Sequence, residues 1–480
     1  MVGPTVRKSA DRMCRVIFCL ILLSGGLLQA QQAKVQAKLD EMLRAKDVHP
    51  WKVSVLAVDL ASGRIICSSR PERPLIPASN MKMVVTAAAV SRWGTEHEFV
   101  TLLGRRGRDL VVIGDGDPGF GEALLIANRG QDQTSMFRKW AETIKKVGMT
   151  DVGDIIIDDT VFDQQFVHPN WPKDQLHKSY AAPPGGLNLW ENWIKVWRST
   201  GSGDRLKLFV EPAVSYGRLA GDSAKSKRQV WISSGPEDDA NQTGGVRNTG
   251  GGGKITTVTD PGVFFGSVFR AVLDKQSVAV SGEVRRRRVG DGRGKLPTDT
   301  VILHRATTKL TDVIGRTNKY SRGLFAECLL KRLGSEDSGQ GSFGSGVAAV
   351  GEFLTRHVGA KPDQFTIDDG SGLSRDNRLS PSVLVNVLRY MAARPEGDIF
   401  RKSLSISGQD GTLRARLNTR DLKRKLYAKT GYISGVYCLS GYMQTKRGKW
   451  IAFSILINNM TSRSLAKQLQ LDICHLLVIQ

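Results

Sequence analysis

The sequence contains little cysteine and no cysteine pair at a spacing typical of a metal site. Six cysteines occur in 480 residues, and no two of them form a CxxC pair. This pattern argues against a disulfide-stapled scaffold and against a zinc site, and we expect no metal and no cofactor. Four cysteines follow the first thirty residues, far apart and in apolar surroundings. In an exported chain they could pair or remain buried free thiols: Cys67, Cys328, Cys438 and Cys474.

Long apolar runs are also missing after the first thirty residues, so no later segment is expected to span a bilayer. At the start of the chain, four Arg and Lys residues precede an apolar stretch over residues 16–23, and Ala30 supplies a small residue for cleavage. This order predicts an export signal over residues 1–30 and therefore a periplasmic location. The alternative is an uncleaved membrane anchor, but the apolar stretch is short for a span.

Acidic residues are outnumbered by basic ones, 46 to 69, which gives a formal net charge of +23. Such a charge favours an anionic partner without identifying it. A glycine-rich stretch ends in Gly253-Lys254 and resembles a phosphate-binding loop. However, Asn248 and Ile255 stand where that motif requires Gly and Ser or Thr. With no recognisable binding motif and an export signal, the sequence predicts no nucleic-acid partner.

The order of predicted elements indicates an α/β (α+β) fold built around one divided domain. Two strands over residues 52–68 precede a buried helix, and three strands follow residue 426. Between Lys82 and Ser321 lie 238 residues, which predicts a domain in two parts, residues 31–95 and 301–480, split by inserted material at 96–300. Within it, residues 234–254 are expected to form a flexible connection. The tryptophan-rich residues 168–197 are expected to pack in a core, with a carbohydrate-facing surface as the alternative.

The stretch from Pro77 to Val90 carries the first candidate site. Prolines and a polar residue precede an Ala- and Met-rich run, which is typical of the start of a buried helix. Ser79 and Lys82 are three residues apart and share one face of that helix. A hydroxyl beside a desolvated amine at a helix start is a plausible activated nucleophile.

Ser-x-x-Lys alone is a weak signal, because Ser464 and Lys467 match it on an ordinary amphipathic helix. Two further segments later in the chain strengthen the prediction that Ser79 is a nucleophile. The first begins with Ser321. The second is Lys429-Thr430-Gly431, followed by Tyr432.

Together these segments resemble the serine D-alanyl-D-alanine carboxypeptidases/endopeptidases of the low-molecular-mass class C penicillin-binding proteins (peptidase family S13). The long insertion distinguishes this class from compact β-lactamases, which share the Ser-x-x-Lys and Lys-Thr-Gly signatures. The similarity covers nearly all of the exported chain and follows the family order in the segments 77–82, 114–118, 153–159, 369–375, 408–413 and 429–431.

The resemblance implies a β-lactamase/transpeptidase-like domain, with a central antiparallel sheet flanked by helices and an insertion of one or two smaller domains. It implies a penicillin-binding D,D-peptidase that acts on D-Ala-D-Ala and cross-linked peptidoglycan peptides, with β-lactams as covalent inhibitors. Ser79 would form the acyl-enzyme, Lys82 would take its proton, and Ser321 would pass a proton to the leaving amine. Lys429, Thr430 and Gly431 would bind the substrate's terminal carboxylate, and the Tyr432 amide would help to hold the oxyanion: four substrate-binding positions in all.

One position departs from the family pattern. The middle motif is Ser-x-Asn in the family, whereas Ser321-Arg322-Gly323 stands here. Glycine offers no side-chain hydrogen bond to the lysine or the substrate, so an alternative function is a weakened or inactive relative that binds wall peptide. On this reasoning Gly323→Asn is expected to raise activity. The sequence leaves open the direction of Arg322, the balance of carboxypeptidase and endopeptidase activity, and the oligomeric state.

Overall fold

The computed structural model describes residues 31–44, 52–128, 130–200, 206–211, 229–232, 244–247, 254–290 and 296–480. The export signal expected over residues 1–30 lies outside these ranges. Within them, no helix combines the length and the apolar character that a membrane crossing requires.

The described helices and strands are numbered in chain order. The helices are α1 (31–44), α2 (Met81–Trp93), α3 (Ala123–Ala127), α4 (Ser135–Lys146), α5 (Pro261–Lys275), α6 (Leu310–Lys319), α7 (Gly323–Ser338), α8 (Phe343–Glu352), α9 (Pro381–Ala392), α10 (Gly397–Ser403) and α11 (Arg463–Val478). The strands are β1 (Val53–Asp59), β2 (Ile65–Ser69), β3 (Glu98–Arg106), β4 (Asp109–Gly114), β5 (Asp151–Val152), β6 (Ile155–Asp158), β7 (Trp193–Thr200), β8 (Leu206–Glu211), β9 (Gln229–Ile232), β10 (Gly244–Arg247), β11 (Lys254–Thr257), β12 (Ala279–Val280), β13 (Val284–Arg286), β14 (Val301–Lys309), β15 (Phe365–Thr366), β16 (Arg378–Leu379), β17 (Ser405–Ile406), β18 (Leu426–Ile433), β19 (Val436–Gln444) and β20 (Trp450–Ile457).

The central sheet joins the two ends of the described chain. Its order is β17-β18-β19-β20-β1-β2, and every neighbouring pair is antiparallel. β1 lies between β20 and β2, with Val53 opposite Ile457. Strands from the two predicted parts therefore complete a single sheet, which confirms the expected fold class.

Helices cover both faces of this sheet, so its central strands are buried on both sides. On one face α2, α7 and α9 share an apolar core with alternate residues of β1, β19 and β20. On the other face, α11 and residues of α1 pack against the intervening residues of the same three strands. The result is a helix–sheet–helix sandwich in which α2 is almost entirely buried.

The inserted region has a sheet and an aromatic core of its own. The sheet order is β13-β6-β4-β3-β14, and Phe137, Trp140, Phe265 and Phe269 fill the core beside it. Because β14 pairs along β3, residues 301–309 belong to this sheet, although the predicted boundary lay at residue 300. The domain bounds themselves stay a prediction.

Two expectations for the insertion can be compared with the structure. Residues 234–254 were expected to form a loop, but Gly244–Arg247 form β10 and pair with β9; residues 234–243 and 248–253 lie outside the described ranges. Trp171 and Trp190 are buried, which favours core packing over a carbohydrate-facing surface. The side chain of Trp197 is not among those described.

The four cysteines that follow residue 30 are free and buried. This finding decides between the two alternatives that the sequence left open. Burial raises the pKa of the Cys67, Cys438 and Cys474 thiols to about 12, so these residues act as small apolar groups in the core.

Candidate active site

Ser79 lies in a single 3₁₀ turn, Ala78–Asn80, that leads directly into α2. The turn is fixed at its base because Asn80 Nδ2 donates to Ser440 Oγ on β19 at 2.7 Å. Ala78 adopts a positive φ of 45°, a conformation that non-glycine residues adopt only where the surroundings hold it. The packing of the sheet against the helix therefore determines where the Ser79 hydroxyl points.

Lys82 lies beside Ser79, as the three-residue spacing predicts. Its Nζ donates to Ser79 Oγ at 3.2 Å and to the carbonyl oxygen of Ser371 at 2.5 Å. The side chain is buried, and burial lowers the pKa of this amine while the nearby carboxyls of Asp369 and Glu327 oppose that shift. An amine with a lowered pKa that touches a hydroxyl can accept the proton of that hydroxyl.

Ser321 and Lys429 form a second polar pair across the cleft. Ser321 occupies the bend between α6 and α7 with a φ of 59°. Lys429 Nζ donates to Ser321 Oγ at 2.8 Å and to the carbonyl oxygen of Thr430 at 2.9 Å. Lys429 is fully buried, and burial together with the charge of Lys82 holds its pKa well below the ordinary lysine value.

The strand after Lys429 passes close to the Ser79 turn. A Cβ at Gly431 would lie 2.7 Å from the carbonyl oxygen of Pro77, so only glycine allows β18 to approach this turn so closely. Thr430 Oγ1 donates to Thr412 Oγ1 at 2.8 Å, which in turn lies 3.1 Å from Ser405 Oγ. Tyr432 follows at the rim, with 54% of its surface exposed.

These residues surround a cleft of about 360 Å³. Four of the residues predicted from the sequence line it: Ser79, Lys82, Ser321 and Tyr432. Lys429, Thr430 and Gly431 do not line the cleft directly. Lys429 contacts Ser321, which does, and Thr430 and Gly431 continue the same strand up to Tyr432 at the rim. The remaining lining comes from the inserted region and from the loop before β16, namely Pro172, Gln175, Tyr180, Ser371, Gly372, Leu373 and Arg375, and from the end of β18, Ile433 and Ser434.

The loop around Asp369 and Ser371, and Glu327 on α7, also belong to the surroundings of the cleft, although the sequence predicted no role for them. Asp369 accepts hydrogen bonds from the Trp171 indole at 2.8 Å and from Asn377 Nδ2 at 2.7 Å. Glu327 accepts from the backbone of residues 370 and 371. The available signal was Glu327 itself, a single acid within the apolar run Leu324–Leu330 of a predicted buried helix.

The position of Gly323 is explained by the inserted region. A Cβ on residue 323 would lie 2.3 Å from the carbonyl oxygen of Tyr180, closer than real side chains approach. The turn Ser179–Ala181 therefore occupies the space where a side chain at 323 would begin. This geometry argues against the expectation that Gly323→Asn raises activity.

Arg322 points away from the cleft. Its Nε lies 3.3 Å from Glu191 Oε2, and it is not among the cleft-lining residues. Glu191 is buried, which raises its pKa to about 7. Arg322 thus joins α7 to the insertion, and this answers the question that the sequence left open.

Residues 35–477 match the D-Ala-D-Ala carboxypeptidase 3 (S13) family. The chain is 29% identical over 471 residues to a D-alanyl-D-alanine carboxypeptidase of Actinomadura sp., covering 89% of this chain and 82% of that protein. It is 24% identical over 432 residues to the D-alanyl-D-alanine carboxypeptidase DacB of Haemophilus influenzae, covering 86% of each.

The fold is similar to a solved structure as well. The crystal structure of penicillin binding protein 4 from Haemophilus influenzae superposes with a TM-score of 0.73 at 23% identity, covering 89% of this chain and 96% of that one. At that identity the likeness establishes the fold: a β-lactamase/transpeptidase-like domain with inserted material.

Proposed function

The chain belongs to the D-Ala-D-Ala carboxypeptidase 3 (S13) family, and from this premise we propose that it is a serine D,D-peptidase that forms an acyl-enzyme on Ser79. Its substrates are peptidoglycan peptides, both those that end in D-Ala-D-Ala and those that are cross-linked. β-Lactams acylate the same hydroxyl.

In the acylation step, Ser79 Oγ attacks the carbonyl carbon of the penultimate D-alanine while Lys82 takes the hydroxyl proton. The bond from that carbonyl to the following nitrogen breaks, and the leaving amine receives a proton through Ser321. Water then attacks the ester, which releases the shortened peptide and restores the Ser79 hydroxyl. General-base catalysis of this kind contributes on the order of 10²- to 10⁴-fold in rate.

Two further contacts belong to the proposed step. The backbone amides of Ser79 and Tyr432 would hold the oxyanion, an interaction worth roughly 3–4 kcal/mol for one well-placed donor. The terminal carboxylate of the substrate is bound from the β18 side by Lys429 and the hydroxyls of Thr430 and Thr412. An incoming carboxylate would give Lys429 an anionic partner, which no described residue provides.

One observation carries this proposal: Lys82 Nζ, on an amine whose pKa burial lowers, lies 3.2 Å from Ser79 Oγ within a cleft. A buried lysine that served structure alone would be expected to pair with a carboxylate. The two hydrogen bonds of this amine go to a hydroxyl and a carbonyl oxygen.

The test uses purified cross-linked muropeptides and a fluorescent penicillin. We expect the native chain to release D-alanine, to cleave cross-links and to retain the penicillin label, and we expect Ser79→Ala to lose all three properties. Ser464→Ala is the matched control, because Ser464 and Lys467 have the same spacing on the exterior helix α11; its activity should equal that of the native chain. Product formation by Ser79→Ala would refute the proposed mechanism.

A second candidate function rests on Gly323. Without a side chain at this position, the cleft lacks one amide that would hold a substrate backbone, so the chain could bind wall peptide and turn it over slowly. Stable penicillin labelling together with muropeptide binding, but without product, would favour this function. Rapid product release would favour the peptidase.

We also propose that the chain acts in the periplasm, after export directed by residues 1–30. Mass spectrometry of the protein from the producing cell would then find a mature N-terminus after Ala30. An intact N-terminus in the membrane fraction would favour the uncleaved anchor instead.

A further inference from the structure

Glu327 is a buried acid close to the active-site lysine, and it has no role in the steps above. It lies on α7 one helical turn after Gly323, so the two residues share one face of the helix. Its side chain is fully buried. Burying a carboxyl group costs free energy unless hydrogen bonds compensate for it, so its partners indicate what it does.

Both carboxylate oxygens of Glu327 bind the backbone of the loop that holds Lys82. Oε1 accepts from the amide of Ser371 at 2.7 Å, and Oε2 accepts from the amide of Gly370 at 2.9 Å. The carbonyl oxygen of Ser371 is the acceptor for Lys82 Nζ at 2.5 Å. A chain of hydrogen bonds thus runs from Glu327 through one residue of backbone to the amine beside Ser79.

The loop also depends on a second carboxylate. Asp369 accepts from the amides of Gly372 at 2.7 Å and Ser374 at 2.8 Å. Because Asp369 already closes the loop on itself, Glu327 is not needed to form the turn. Glu327 attaches that turn to α7, and it does so at Ser371, the residue whose carbonyl oxygen contacts Lys82.

We propose that Glu327 is a positioning residue for the acylation step, which orients the Ser371 carbonyl onto Lys82 and places a carboxyl group close to that amine. In the family pattern the residue at 323 is an asparagine expected to hold the lysine. Here position 323 has no side chain, and the support for Lys82 comes from Glu327 through Ser371. This inference rests on the proposed function, because it assigns a role within the same reaction.

Several charged or titratable groups surround this pair. Asp369 on the loop acts on both Lys82 and Glu327, Lys429 on β18 faces Lys82, and Lys331 and Cys328 on α7 lie near Glu327. Burial and Asp369 raise the pKa of Glu327, whereas burial lowers the pKa of Lys82. The two groups therefore titrate closer together than a free glutamic acid and a free lysine.

The sign of the expected effect follows from the charges. A negative charge on Glu327 favours the protonated form of Lys82, and removing that charge lowers the pKa of the lysine. In Glu327→Gln the neutral amine is then available at lower pH, so the acidic limb of the acylation profile should move to lower pH by about one unit. The rate at the optimum should fall about tenfold, because one backbone amide of the loop faces an NH₂ group.

The experiment measures the second-order rate of acylation by a fluorescent penicillin from pH 6 to 10. Glu327→Gln is compared with Glu327→Asp, which keeps the charge but shortens the side chain and should keep the native midpoint at a reduced rate. Asp158→Asn is the matched control. Asp158 is a buried carboxyl on β6 that also accepts two consecutive backbone amides, from Val289 and Gly290, but it lies outside the cleft lining.

The outcomes separate the inference from the function on which it rests. A lower midpoint in Glu327→Gln, with native midpoints in Glu327→Asp and Asp158→Asn, supports the proposal. A uniform loss at every pH with an unchanged midpoint, or a native profile, overturns it, because a purely structural acid would act in that way. Failure of the native chain to be labelled at all would count against the proposed function itself.

Discussion

Lys331 and Lys429 are both fully buried, but only Lys331 has a carboxylate partner among the described residues. Lys331, at the junction of α7 with the insertion, donates to Asp163 Oδ1 at 2.6 Å and to the carbonyl oxygen of Gln165 at 2.8 Å. Its amine also lies 4.6 Å from the centre of the Phe343 ring. Lys429, beside the cleft, donates only to a hydroxyl and to a carbonyl oxygen. Within the described ranges no carboxylate lies within ion-pair distance of it.

The two lysines therefore differ in where a counter-ion can come from. At the junction the counter-ion belongs to the protein, and Asp163 opposes the lowering of the Lys331 pKa that burial causes. Beside the cleft, no described residue supplies such an anion to Lys429, and burial depresses the pKa of its amine. Lys331 therefore has its counter-ion within the protein, whereas Lys429 has none among the described residues.

The largest expected effect is on the rate of acylation. Lys82→Met should reduce the second-order rate of penicillin acylation by roughly 10²- to 10⁴-fold, because it removes the amine that is proposed to take the Ser79 proton. Lys467→Met is the control, since it removes a lysine at the same spacing from a serine on α11, and it should react like the native chain. If the Lys82→Met variant reacted at the native rate, Lys82 would not be the group that takes the Ser79 proton.

The next effect is on stability, and it reverses between the two lysines. Lys331→Met should lower the free energy of unfolding by about 3 kcal/mol, because it leaves Asp163 without its partner at the junction. Lys429→Met should leave that free energy unchanged or raise it, because it replaces an uncompensated buried amine by an apolar side chain. Urea unfolding of the two variants measures the difference. Equal losses would show that Lys429 has a hidden counter-ion.

A smaller effect is expected where the junction and the cleft meet. Gly323→Asn should cost about 1–3 kcal/mol, because its Cβ would force the Tyr180 turn away from α7. The same displacement should reduce muropeptide cleavage, since Tyr180 lines the cleft. Gly323→Ala serves as the comparison, because it introduces the Cβ without the amide. Higher activity in Gly323→Asn than in Gly323→Ala would mean that the amide contributes once the turn has moved.

The smallest expected effect is a pH dependence that should occur at Lys429. Its pKa is below 10.5 in the folded chain and near 10.5 in the unfolded one. Between the two values the unfolded state binds more protons, so the free energy of unfolding rises with pH. The gain in stability from Lys429→Met should therefore be greatest at the acid end and vanish near pH 10.5, as measured by urea unfolding at a series of pH values. A gain that is constant with pH would mean that Lys429 remains charged in the folded chain.

The sequence predicted those parts of the site that follow from local spacing and from motifs. The Ser79–Lys82 contact follows from helical geometry, and the divided sheet follows from strands at both ends of a long insertion. The roles of Glu327, Tyr180 and Arg322 were missed, because each depends on which segment lies opposite. The contact at Gly323 is made by the backbone carbonyl of Tyr180, and every residue type has such a carbonyl, so the sequence does not indicate it. The direction of Arg322 depends on Glu191, 131 positions away.

The pairing of β1 with β20 has a consequence for the order of events during synthesis. Val53 cannot meet Ile457 until about four hundred further residues have been made, so one edge of β1 stays open while the ribosome translates the insertion. Contacts that span so much chain form late and slowly. The Ser79 turn therefore acquires its support on β19 only after the C-terminal strands have been made, and a truncated chain would be expected to carry Ser79 without a complete cleft.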